Sequence, residues 1–184
     1  MSGGISMKNV PNILTVIRMA LIPVFVYVFF SEAQNSRYLA LGVYAVASLT
    51  DLVDGYIARK YDVVTDVGKV LDPLADKLML LTVLVCLYIS GDVPGLILAI
   101  VLMKEGFMIT IGLILYHKKD RIVVPANYFG KSATVLFTVS IVLVFLFPGN
   151  ANVMYLMYIS IALKFIALFK YYFTYQAERK RRGL

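Results

Sequence analysis

Six long apolar runs, at about residues 11–31, 37–58, 72–90, 93–116, 128–148 and 152–174, constrain this chain before any other feature does. Each is close to the roughly 20 residues that a helix needs to cross a bilayer. The chain of 184 residues is 60% hydrophobic and 16% charged, with a mean hydropathy of +0.81, far more apolar than a soluble domain. The first run is too long for the core of a signal peptide, and no small-residue cleavage signal follows it. The expected fold is an all-α integral membrane protein of six transmembrane helices, a single domain over residues 1–184. Residues 1–6, MSGGIS, read as a remnant ahead of a native start at Met7. The single Cys86 excludes an internal disulfide and reads as a small apolar filler of the third helix.

Charge placement orients the chain. The connections at about 31–37, 90–94 and 148–152 hold one basic residue, Arg37, against Glu32 and Asp92. The opposite side collects Lys8, Arg59, Lys60, Lys69, Lys118, Lys119, Arg121, Lys131 and the tail residues Arg179, Lys180, Arg181 and Arg182. By the positive-inside rule both termini face the cytoplasm. The net charge of +7 then follows from topology and attraction to anionic membrane lipid, and needs no nucleic acid. The tyrosine-rich, basic stretch from Lys170 to Leu184 reads as an interfacial anchor.

The stretch Asp51–Lys77 carries the chemistry. Asp51 and Asp54 are three residues apart and Asp72 and Asp76 four apart, so within helices each pair occupies one face. Four acids meeting across two helices repel unless a cation neutralises them. An all-carboxylate set favours magnesium, calcium or manganese, and there is no Cys/His set to argue for zinc. Gly55 and Ala58 continue the Asp51 face as an open, small-residue wall, and Arg59 offers a fork for a phosphate. Gly68 shares a face with Asp72 and Asp76, and Pro73 places the start of the third helix near Asp72. Asp62 and Asp66 read as solvated loop acids.

Elsewhere the polar residues are few. Arg18 lies one or two turns inside the first apolar run, where it must snorkel or find a partner; Asn12 and Thr15 share its face. Lys104, Glu105 and Lys164 fall inside apolar spans, with Glu105 expected to pair with Lys104 or Lys164. His117 reads as a solvated bystander, and Lys131 at the mouth of the fifth helix as a cation for a phosphate. A cation channel or carrier would spread acids along a crossing path. Here all four lie near one surface, as a membrane enzyme requires.

The pattern Asp51-x2-Asp54-Gly55-x2-Ala58-Arg59-x8-Gly68-x3-Asp72-x3-Asp76 resembles, position for position, the signature of the CDP-alcohol phosphotransferases. The opening PNILTVIR, residues 11–18, is similar to the start of members that use glycerol 3-phosphate or phosphatidylglycerol. The resemblance implies transfer of a phosphatidyl group from CDP-diacylglycerol to an alcohol, with release of CMP. It implies two divalent cations, Mg²⁺ or Mn²⁺, on Asp51, Asp54 and Asp72, with Asp76 completing the metal site and acting as general base. It places Asp51, Gly55, Ala58, Arg59 and Gly68 at the CDP moiety, and it is compatible with a homodimer.

The chain departs from the pattern in the fourth helix. Members using glycerol 3-phosphate commonly show Arg-Glu followed by Ser and Arg at helical spacing, whereas here Lys104-Glu105 is followed by Ile109 and Gly112. Lys131, Lys118 or Lys119, with Arg18, Asn12 and Thr15 as further candidates, would then meet the acceptor or a phosphate. The alternative acceptor is phosphatidylglycerol, which carries no phosphate monoester, and its product would be cardiolipin.

Overall fold

The computed structural model describes residues 10–61, 68–117 and 128–181, and these form six helices with no strand among them. They are α1 Val10–Phe29, α2 Ser36–Lys60, α3 Gly68–Ile89, α4 Gly95–His117, α5 Tyr128–Leu146 and α6 Ala151–Arg181. Lys118, Lys119, Asp62, Asp66 and residues 1–6 lie outside the described residues.

Two helix ends differ from expectation. α3 begins at Gly68, a full turn before Asp72. Pro73 therefore sits inside the helix, where its missing N–H costs one bond, that to the Lys69 carbonyl. α6 runs on to Arg181, so the basic stretch after Lys170 continues the helix. Its alternation of long polar and aromatic side chains contains no Gly or Pro to stop it.

The chain forms two compact units of three helices each, Met1–Gly91 and Asp92–Leu184. In the first, α1 packs extensively against both α2 and α3, which touch each other far less. Its inward stripe is Thr15, Arg18 and Phe25. That of α2 is Ala40, Tyr44, Ala47 and Asp54, and that of α3 runs through Ala75, Met79, Val83 and Cys86. The three- and four-residue steps are those of one helical face. Alanines in the α2 stripe let backbones approach closely, which is how helices associate where burial from water is not the driving force. Gly91 closes α3 at φ 80°, the left-handed turn that a helix end favours and that glycine adopts without strain.

In the second unit α5 and α6 are closely paired. A Cβ on Gly130 would meet Ala167 Cβ at 3.8 Å, so the two helices approach through small residues here. Phe137, Ile141, Val144 and Phe145 of α5 and Val153, Met157 and Ile161 of α6 are buried. The buried hydroxyls of Ser140 and Ser160 donate to carbonyls of their own helices, Leu136 and Met157. Asn150 caps α6: its side chain accepts from the Asn152 N–H at 2.9 Å.

Among the described residues, Ala151–Lys170 is the one helical stretch long and apolar enough, by length and composition, to cross a membrane. Ile13–Phe29 and Gly130–Leu146 are apolar but shorter. All six helices nevertheless expose large apolar side chains, among them Tyr27, Leu52, Leu78, Met103, Val135 and Phe169.

Ala47 is 1% exposed. Ala47→Leu is expected to overpack the α2 stripe and cost about 1–3 kcal/mol, read as a lower unfolding temperature of the detergent-purified protein.

Candidate active site

Each helix of the first unit brings one piece of the acidic site. On α1, Thr15 and Arg18 are one turn apart and wholly buried, at 0% and 1% exposure. On α2, Asp51 and Asp54 extend the Ala40–Tyr44–Ala47 stripe by successive helical steps. On α3, Asp72 precedes the buried Ala75 by three residues and Met79 by seven, so it begins that helix's inward stripe.

The contacts run from α1 outward. Arg18 Nη1 lies 2.8 Å from Asp51 Oδ1, and Arg18 Nη2 donates a hydrogen bond to Asp54 Oδ2. Thr15 Oγ1 donates to Asp72 Oδ1. A guanidinium buried in an apolar helix is costly unless paired, and two carboxylates one turn apart repel. Each problem removes the other. Exposure rises across the four acids, from buried Asp54, through half-buried Asp51 and Asp72, to exposed Asp76.

Sequence reasoning grouped Arg18 with Thr15 but named neither as a partner of the acids. The partners lie 36 and 57 positions away on other helices, which local spacing does not signal. Asn12 lies one turn before Thr15 in α1. Gly55, Ala58 and Arg59 occupy the last two turns of α2, and Gly68 is the first residue of α3. Lys131 is exposed in the first turn of α5.

The donor set consists only of carboxylate oxygens, suited to hard divalent cations. The convergence of Asp51 and Asp54 on one positive group fits such a role. In this arrangement, among the described residues, no three His, Cys, Asp or Glu side chains are grouped as ligands of one metal ion.

The second unit gives partners to the charges of α4 and α6. Lys104 Nζ pairs with buried Glu105 at 2.5 Å. Lys164 Nζ stands 3.8 Å from the centre of the Phe137 ring, a cation–π contact. Both lysines line a cavity of about 180 Å³, with Met108, Gly130, Thr134 and Ala167 among its other walls.

The described residues thus define an all-helical protein in which one helix ties together the carboxylates of two others. Residues 8–166 match the family described as CDP-alcohol phosphatidyltransferase. A Rickettsia bellii protein named CDP-diacylglycerol–glycerol-3-phosphate 3-phosphatidyltransferase is 35% identical over 162 residues, 88% of either chain. A Bacillus subtilis protein of the same name is 39% identical over 140 residues, 70% of this chain and 72% of its own. A third, from Rickettsia typhi, is 34% identical over 163 residues, 89% and 90% of the two chains. The chain belongs to the CDP-alcohol phosphatidyltransferase family, and it is an enzyme. That family is membrane-associated and generally dependent on divalent metal.

Thr15→Val keeps the shape of the side chain and removes its donor to Asp72. The loss is expected to cost about 1–3 kcal/mol by leaving a partly buried acceptor unpaired, measured as reduced stability in detergent.

Proposed function

We propose that this chain transfers the phosphatidyl group of CDP-diacylglycerol to a hydroxyl of sn-glycerol 3-phosphate, giving phosphatidylglycerophosphate and CMP. The observation that carries the reading is the ordered acid set of α2 and α3, held from α1 by Arg18 and Thr15. Relatives spanning most of the chain and named for that reaction support the choice of acceptor.

Asp51, Asp54 and Asp72 would hold two divalent cations, Mg²⁺ or Mn²⁺, with Asp76 completing the set. Bound there, they would neutralise the diphosphate and stabilise the departing oxygen. Gly55, Ala58 and Gly68, lacking bulk, admit the cytidine diphosphate beside the acids, and Arg59 meets a phosphate. Asp76, the most exposed of the four, accepts the proton of the acceptor hydroxyl. The hydroxyl oxygen then bonds to the phosphorus that carries the diacylglycerol, and the bridging P–O bond breaks. CMP leaves with the bridging oxygen.

The chain is read as one multi-pass domain of the cell membrane, both termini and the acids on the cytoplasmic side. The apolar side chains exposed on every helix support the lipid setting. The basic residues of the α2–α3 and α4–α5 connections and of the tail support the orientation.

Labelled CDP-diacylglycerol supplied with each acceptor in turn, at fixed magnesium, tests the proposal. Phosphatidylglycerophosphate from glycerol 3-phosphate is expected. Ile109 and Gly112, which replace the usual polar pair of α4, favour phosphatidylglycerol as the second reading, and cardiolipin as the sole product would establish it instead.

The acids separate by role. Asp72→Asn should abolish CMP release while leaving the fold intact, because the amide is nearly isosteric but a poorer ligand for a hard cation. Asp76→Asn should lower turnover about 100- to 10,000-fold with little change in CDP-diacylglycerol binding. Equal losses in turnover and binding would make Asp76 a ligand alone.

A further inference from the structure

Arg18 has more donors than the acids satisfy. Its Nη2 hydrogen-bonds Asp54, and its Nη1 faces Asp51 as an ion pair. Among the described residues, however, neither Nη1 nor Nε has a hydrogen-bond acceptor of proper geometry, although both are buried. A buried guanidinium ordinarily fills its donors, because an unfilled one carries its full desolvation cost. Arg18 is thus held by the charge of two carboxylates and by one directional bond, that from Nη2 to Asp54. Those two carboxylates are also the α2 members of the proposed metal set.

We infer that Arg18 is the resident counter-charge of the acid cluster: it neutralises Asp51 and Asp54 in the metal-free protein and competes with divalent cations for their oxygens. The inference rests on the reading that these acids bind metal. Arg18 is a positioning residue in this account. It keeps two carboxylates convergent at 1% and 3% exposure of its own and the Asp54 side chain, where mutual repulsion would otherwise drive them apart. A divalent ion offers the same oxygens twice the charge of the guanidinium on a compact centre, so Arg18 yields them. Two consequences follow. The folded protein needs no metal to keep its acid cluster intact, and the metal affinity is lower than the bare carboxylates would give.

The test compares wild-type protein with Arg18→Met and Arg18→Lys, each full length in detergent, by thermal unfolding in chelator and in Mn²⁺. Free Mn²⁺ measured by electron paramagnetic resonance gives the affinity. Wild type is expected to gain little from Mn²⁺ in unfolding temperature. Arg18→Met should unfold much earlier in chelator, recover most of that loss in Mn²⁺, and bind Mn²⁺ about 5- to 150-fold more tightly. Arg18→Lys, a point charge without a fork, should fall between them. A merely structural arginine would lower the unfolding temperature equally with and without Mn²⁺ and leave the affinity unchanged, which would overturn the inference. If Arg18→Met can be purified only with Mn²⁺ present, the inference stands; if it fails to fold in both conditions, the ion does not replace Arg18 and the inference falls. Wild type that binds no Mn²⁺, with Asp54→Asn behaving identically, overturns the metal reading itself.

Discussion

A positive charge buried in an apolar helix governs the first three helices of this chain. Arg18 cannot stay in α1 at 1% exposure without anions, and the nearest are Asp51 and Asp54 on α2. The same face of α1 places Thr15 against Asp72 on α3. α1 therefore registers two helices that scarcely touch each other. Sliding either by one residue would turn its acid about 100° away from α1, so the polar contacts fix a register that alanine and leucine surfaces alone define poorly.

That arrangement also gives the four acids unlike surroundings despite like chemistry. Asp54 is enclosed, Asp51 and Asp72 are half covered, and Asp76 is open. An enclosed carboxylate needs a counter-charge beside it, here the Arg18 guanidinium. An open one can meet a substrate and exchange a proton. The i, i+3 spacing sets enclosed Asp54 beside half-covered Asp51 on α2, and the i, i+4 spacing sets half-covered Asp72 beside open Asp76 on α3.

Much of this was legible in the sequence, because apolar runs and acid spacings are local properties. The runs locate all six helices to within a few residues, except where helices outrun their apolar stretch, as α6 does beyond position 174. The start of α3 was less legible: Pro73 marks a first turn by local rule, yet the helix begins at Gly68. The acids announced a site, whereas the partner of Arg18 did not announce itself. Its bond to Asp54 spans 36 positions and that of Thr15 to Asp72 spans 57, and no local period encodes which helix lies beside which. The sequence offered Glu105 two lysines equally; Lys104 pairs with it, and Lys164 also stands over the Phe137 ring.

The separation between Arg18 and Asp54 has a meaning in time as well as in space. A ribosome adding about 5–20 residues per second finishes Asp54 roughly 2–7 s after Arg18, given the 36 positions between them. For that interval the nascent first helix carries a cation whose anions do not yet exist. An uncompensated cation is costly in any apolar surrounding. The docking of the first helix therefore depends on synthesis of the second, which brings the counter-charge.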